Sequence, residues 1–446
     1  MLAIRFFLLF GHMRDIIKPI NIASEKGDDP MQRIEFLEKQ IQTAWDVVMK
    51  KFYHPKTHMI YDYLTKETAE ASADDYPTPE EIAASAPNPC GWGAGMEDST
   101  LNLGSMIEAM IARYSLTKEV EIKEQLQMLL EGLIKNGTAA EPGFIARSVC
   151  ALDGESVYID SSRDQYTNWV YAAHCLLHSE CIDQIQKDAL KEILINIAKK
   201  LERDVDSEYK GYLCRLDGKP GIASLMDSDD LGAHEIFRMP MLYLAAYEAS
   251  GDRYWYQKYC EKRESLLARA EASYTVESIT RMARGRWGRI YIYYQAQYSM
   301  RLLYDVETDE KYRERYLRLL KISAEGAEEF VKCAYANKGI LQEKQEYFLP
   351  WRSVPATYVQ AFYGKSYYIP NLWDDKAIFK WTRNMAEAII IQAVCPGYDI
   401  PEWEKEMFFA FIAEANFADA KCYWPVLFCD AWWLAKCGGQ IPAGNE

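Results

Sequence analysis

The chain is short of positive charge: 51 Lys and Arg stand against 66 Asp and Glu, a formal net charge of −15. A surface that tracks phosphates needs a basic excess, so non-specific attraction to nucleic acid or to anionic lipid is excluded for the chain as a whole. Paired cysteines are lacking too. The 11 cysteines are an odd number with no CxxC and no finger spacing. Cys175, Cys395 and Cys429 fall inside apolar helical stretches, where a free thiol packs as a small hydrophobe, and reduced, structural cysteines favour a cytoplasmic setting. Also missing is any run of the roughly 18 apolar residues that a membrane span requires. The opening stretch, MLAIRFFLLFGHMRD, has a short apolar run containing Arg5 and no small-residue cleavage site. Residues 1–30 are expected to be a tail. Read as a weak signal or anchor, it would place the protein in the periplasm or outside the cell; the alternative is a start assigned upstream of Met13.

What is present is a composition 49% hydrophobic and 26% charged, enough to bury a sizeable core. Periodicity and breakers predict twelve helices, near 32–53, 99–115, 118–136, 164–180, 182–204, 233–250, 252–275, 287–306, 308–336, 376–396, 401–415 and 423–436. Charge-rich members such as EKYRERYLRLLKISAEGAEEFVKC alternate with charge-poor ones such as QYTNWVYAAHCLLH. A charged helix can keep a solvated face and a bare one cannot, so the two kinds define an outer and an inner layer. Short turns follow the inner helices, while the long loops 54–98, 137–163, 205–232, 276–286 and 337–375 precede them. Long loops inside a compact domain usually carry function. The expected architecture is an all-α (α/α)6 toroid, a single domain over residues 31–440 with every long loop on one rim. A solenoid would repeat in sequence, and no internal repeat is present.

Chemistry is expected where loops run into inner helices. CGWGAGMEDST, residues 90–100, offers Asp98; YIDSSRDQYTNW, residues 158–169, offers Asp160, Arg163 and Asp164. Asp is a favoured N-cap, so Asp98 divides evenly between a cap and a catalytic role, whereas Asp160, Ser161 and Ser162 leave Asp164 free for chemistry. A helix start favours an ionised carboxylate, and crowding raises the pKa of its neighbour, the inequality that general acid/base work uses. MDSDDLGAHEIF, residues 226–237, lacks the glycine and glutamate of a calcium loop and reads first as a solvated acidic capping segment. Second comes binding of sugar hydroxyls by Asp230, His234 or Glu235. His174 and His178, four apart, share a helical face and could hold a metal or act as bases; without an HExxH motif they read as core histidines, and no metal is expected.

Aromatic residues at loop ends, namely Trp92, Tyr166, Trp287, Trp351 and Trp373, suit stacking on the C–H faces of sugar rings. Arg163 can fork onto the carboxylate of an acidic sugar. These features together resemble the six-hairpin glycosidase superfamily, in architecture across roughly residues 32–440. YIDSSRDQYTNWVYAA looks like the helix-start segment of unsaturated glucuronyl hydrolases, and GMEDS with SSRDQYT looks like a little-characterised glycosidase-like group. The resemblance implies an Asp that donates a proton, on Asp160 by literal match or Asp164 by helix placement, with Asp98 as partner and no cofactor. The expected function is hydrolysis of an oligosaccharide, with uronic or unsaturated uronic acid as a candidate component, Asp164 serving as acid/base and Asp98 assisting. The alternatives are a polysaccharide lyase on the same fold and a non-catalytic carbohydrate-binding protein.

Overall fold

The inner helices are apolar on almost every side because each is enclosed. In α3 (Ser99–Thr117) every residue from Ser99 to Met110 is buried, in α7 (Arg238–Ser250) every residue from Arg238 to Ala246, and in α14 (Trp424–Cys437) every residue from Trp424 to Trp433. With α5 (Arg163–Leu177), α10 (Tyr291–Val306) and α12 (Ala377–Val394) they form a closed ring. Packing runs from α3 to α5, α7, α10, α12 and α14, and from α14 back to α3. Outside stand α1 (Pro30–Val47), α4 (Val120–Thr138), α6 (Gln184–Val205), α8 (Arg253–Ser273), α11 (Glu310–Ala336) and α13 (Glu402–Glu414). These show single stripes: α4 buries Ile122, Leu126, Leu129, Leu130 and Leu133, the spacing of one helical face. The fold is the all-α toroid expected. The structure is a computed structural model describing residues 30–442, apart from 67–73, 207, 286–289, 354–357, 363–364 and 370–376. Trp287, Trp373 and almost all of the N-terminal tail lie outside the described residues.

Turns at one end are tight. Lys118 (φ 56°) closes α3 before α4, and Gly251 (φ 70°) closes α7 before α8, each in the left-handed conformation of an abrupt helix stop. At the other end the long loops carry structure that periodicity did not show. There are antiparallel hairpins of β1 (Tyr53–His54) with β2 (Met59–Ile60), β3 (Tyr212–Cys214) with β4 (Pro220–Leu225), and β5 (Tyr358–Phe362) with β6 (Lys365–Ile369). Two short helices, α2 (Pro79–Ala83) and α9 (Val276–Arg284), complete them, both opened by capping boxes. No helix among the described residues is long and apolar enough to cross a membrane.

The first hairpin lies directly on α4. A Cβ at Gly132 would sit 2.2 Å from the carbonyl oxygen of His58, a backbone atom that cannot rotate away. Gly132→Ala normally favours a helix; here it is expected to destabilise the protein by about 1–3 kcal/mol. Urea unfolding checks this, and a midpoint at or above that of the parent would show that the hairpin does not press on α4.

Candidate active site at the mouth of the ring

The starts of the inner helices meet at the loop-bearing end. Contacts between consecutive helices establish this: Gln165 of α5 donates to Asp98 before α3 (3.5 Å), and Arg238 of α7 donates to Asp164 of α5. Arg383 of α12 reaches Tyr423 before α14 (3.4 Å) and lies over the Tyr291 ring of α10 (5.0 Å). All six inner helices therefore run parallel.

Asp98 stands at the N-cap of α3 but its side chain makes no capping bond. The Thr100 N–H in the first turn goes instead to the Arg147 carbonyl (3.1 Å), and the buried carboxyl of Asp62 holds the approach to the helix, accepting from the backbone N–H of Glu97 (2.6 Å) and Asp98 (3.1 Å) and from Asn102 Nδ2 (3.1 Å). Asp98 is left partly exposed at the mouth. Burial raises its pKa, Arg383 and Arg147 pull it back, and Asp164 adds to the rise; the outcome is a carboxyl above the ordinary range.

Asp164, in the first turn of α5, is 28% exposed and paired with the buried guanidinium of Arg238. Burial alone would raise its pKa. The charge and hydrogen bond of Arg238, with Arg163 and Arg147 behind, outweigh burial and hold the group below the usual range. Arg163 donates to Glu235 Oε1 (2.5 Å) and to the Leu225 carbonyl (3.0 Å). His234, beside Glu235, is partly exposed; its pKa is lowered by burial, with Arg238 and Arg163 adding to the effect against Glu235 and Asp164.

Four members of this cluster escaped the sequence reading: Arg147, Arg238, Arg383 and Glu387. Arg383 donates to Glu387 Oε1 (2.6 Å). Glu387 is wholly buried and pushed up to about 7, by burial first and by Asp98 and Asp164 in addition, against the pull of Arg383. Arg147 donates to the Glu97 carbonyl (3.0 Å) and lies over Trp92 (5.4 Å). The signal was available in part, since a charge on an otherwise bare inner helix must be buried and partnered. Around them, Asn102 Oδ1, Gln165 Oε1, Asn168 Oδ1 and Glu387 Oε2 are buried without a protein hydrogen-bond partner, and such atoms in a native fold call for an explanation.

Other expected residues lie elsewhere. Asp160 is buried, its oxygens accepting from Ile222 N–H and Ser161 N–H (both 2.9 Å) and from the Cys90 thiol (3.5 Å). It ties the 88–90 loop to β4. Tyr166 is buried with its hydroxyl bonded to Gly143 O (3.2 Å) and Ile145 N–H (3.3 Å), inside the wall. Asp230 is exposed in a turn held by Ser228. Trp351 lies beneath the Arg352 guanidinium (4.7 Å), which pairs with Glu81 across the loops. His174 and His178 sit in the last turn and at the C-cap of α5, at the end of the ring opposite Asp164.

Midway down the axis lies a third polar group. Tyr298 of α10 donates to Glu108 of α3 and lies 3.3 Å from Asp430 Oδ2 of α14, while Tyr294 donates to Tyr298 (2.9 Å) and meets Ser105 Oγ (2.6 Å). One hydroxyl proton cannot serve both carboxylates. Burial accordingly raises Glu108 to about 8 and lifts Asp430 well above the carboxylate range.

No family model matches the chain, and no curated protein matches it. Among solved structures, one described as the crystal structure of a sugar epimerase from a ruminal bacterium is similar over 84% of this chain and 85% of its own, at 13% identity and a TM-score of 0.43.

The axial carboxylates have a measurable consequence. Glu108 holds its proton in the folded state to about 8 but only to 4.5 when unfolded. Its contribution is fully present below the lower value and lost as pH rises through the upper one, by at most about 1.4 kcal/mol per pH unit. Glu108→Gln is expected to flatten that decline in pH-resolved denaturation. An unchanged slope would mean that Glu108 does not carry the proton.

Proposed function

We propose that this protein is a glycoside hydrolase whose oligosaccharide substrate contains a uronic or unsaturated uronic acid, with Asp98 as proton donor and Asp164 as the ionised partner. One observation carries the reading: two partly exposed carboxyls on neighbouring inner-helix starts have environments that push their acidities in opposite directions. That is the arrangement acid/base hydrolysis requires. It exchanges the roles expected from the sequence, because the Arg238 pair holds Asp164 below the usual carboxylate range while burial lifts Asp98 above it. It also leaves Asp160, with its oxygens taken up by backbone N–H groups, as a structural residue.

Asp98 delivers its proton to the departing glycosidic oxygen, or to the ring double bond of an unsaturated sugar. Asp164 orients the attacking water and accepts its proton. Arg147, Arg163, Arg238 and Arg383 gather where six helix N-termini converge, and the positive ends of those helices add to their charge. Such a mouth favours a sugar bearing a carboxylate. Trp92, steadied by Arg147, supplies a ring face at the rim. This reading accords with the likeness of GMEDS and SSRDQYT to a little-characterised glycosidase-like group.

Unsaturated uronyl disaccharides provide the assay, since their hydrolysis abolishes near-ultraviolet absorbance whereas lyase action on a polyuronate creates it. Loss of absorbance is expected. A gain would establish the lyase, and tight binding without turnover a non-catalytic protein. Asp98→Asn is expected to lower kcat by about 10²- to 10⁴-fold with little change in unfolding midpoint, because the side chain caps nothing; full activity would remove Asp98 from the mechanism.

The pH profile gives a second check. Asp164 must be ionised and Asp98 protonated, so kcat/KM is expected to rise with pH below the usual carboxylate range and to fall above it. Arg238→Gln removes the charge that depresses Asp164, so the acidic limb is expected to move to higher pH. An unmoved limb would show that Asp164 does not set it.

A further inference from the structure

At the end of the ring away from the mouth, α5 and α7 finish side by side, and two histidines converge on one carboxylate. His174 Nδ1 lies 2.7 Å from Glu248 Oε2, and His178 Nε2 lies 2.6 Å from Glu248 Oε1. One donor atom from each of the three residues falls within 4.8 Å of the other two. The spacing is local in origin, since residues four apart on α5 present both rings to the same side, and Glu248 meets them from the last turns of α7.

We propose that His174, His178 and Glu248 form a binding site for a borderline divalent transition metal, zinc being the reference ion. Two imidazoles and one carboxylate are a common zinc donor set that leaves a fourth position for water. The surroundings have the further feature such sites require. The second nitrogen of His174, Nε2, faces Asp305 Oδ2 at 3.6 Å, and Asp305 is held by Arg301 at 2.7 Å. A carboxylate behind a ligating imidazole fixes its ring and its tautomer and raises its basicity. Three further observations agree. The His178 side chain is 63% exposed, so an ion has access, while His174 is 7% exposed and rigidly packed. The C-terminal ends of α5, α7 and α10 point here, and their negative dipole ends favour a cation. On ion binding each nitrogen that donates to Glu248 first loses its proton, to solvent or to the other nitrogen of the same ring (Nε2 of His174, facing Asp305, and Nδ1 of His178), and the freed lone pair turns to the metal together with one oxygen of Glu248. The ion would join α5 to α7 at the tight-turn end, far from Asp98 and Asp164, and so does not depend on the sugar chemistry proposed above.

Titration of the full chain with Co²⁺, followed by its visible absorption and by calorimetry, tests the site. One saturating equivalent is expected, displaced by Zn²⁺ and without the intense thiolate-to-metal band that cysteine ligation would give. His178→Ala, at an exposed position that should not impair folding, is expected to abolish saturable binding. Asp305→Asn touches no ion, yet is expected to weaken affinity by about 10- to 100-fold. Absence of one-equivalent binding, a thiolate band, or affinity unchanged in His178→Ala would each overturn the proposal.

Discussion

An inner helix of this ring has protein on every side but the one that faces the axis, so any charge it carries must be neutralised there or lie near an end. This constraint organises the polar chemistry of the molecule. Along α3, α5, α7, α10, α12 and α14 three clusters of ionisable residues stand in tiers, apart from pairs made with the outer layer such as Lys436 with Glu38. Arginines and carboxylates lie at the helix starts, the Glu108–Tyr298–Asp430 group at mid-depth, and the histidine–carboxylate group at the helix ends. Each tier solves the burial problem differently. The first pairs opposite charges, the second retains protons so that its carboxyls stay neutral, and the third opens one ring to solvent.

The mouth has chemical potential because its pairing is uneven. Arg238 is committed to Asp164 and Arg383 to Glu387, which leaves Asp98 with a long hydrogen bond from Gln165 and the more distant attraction of Arg383 and Arg147. The Asp98 side chain is not needed as a cap, because the Arg147 carbonyl takes the Thr100 N–H in the first turn of α3 and the buried Asp62 carboxyl takes the N–H groups of Glu97 and Asp98 at its threshold. A helix start without a self-cap exposes a side chain that would otherwise be folded back onto its own backbone. Asp164 is similarly uncommitted as a cap, since the residue at the N-cap of α5 is Ser162 and it makes no capping bond.

The ring was legible because its cause is local. Outer helices must wear charge and inner ones cannot, so the alternation is written into composition, and loop lengths reveal which ends share a rim. The site was legible only where its residues sit in sequence beside a helix start, as with Asp98, Arg163, Asp164, His234 and Glu235. Asp62 holds the threshold of α3 from 36 residues away, and one of the two backbone N–H groups that engage Asp160 comes from 62 residues away on β4; neither partner leaves a mark nearby. Tyr166 shows a subtler limit. It follows Asp164 by two positions, about 200° around a helix, and so points into the wall while Asp164 faces the axis. That phase is set by which neighbours close the ring. Arg238, Arg383 and Glu387 stood in plain view as isolated charges on bare helices, yet their significance depends on knowing that six such helices converge.

Parallel inner helices add one effect that no single residue possesses. Each contributes partial positive charge at its start and partial negative charge at its end, so six in register give the toroid an axial polarity. The side chains follow it only in part: guanidiniums at the mouth lie at the positive end together with Asp98, Asp164 and Glu387, and Glu248 with Asp305 lies at the negative end together with His174, His178 and Arg301. An arrangement chosen only to cancel the dipoles would place the acids at the starts and the bases at the ends. Here Arg238 and Arg383 lie within two turns of a helix start, and Glu248 and Asp305 in the last turn of α7 and α10. Each of these charges is partnered, Arg238 by Asp164, Arg383 by Glu387, Asp305 by Arg301 and Glu248 by the two histidines, and the partners offset what the dipoles oppose. Between the two ends, burial raises Glu108 and Asp430, so that this middle tier adds less negative charge to the axis than two ordinary carboxylates would.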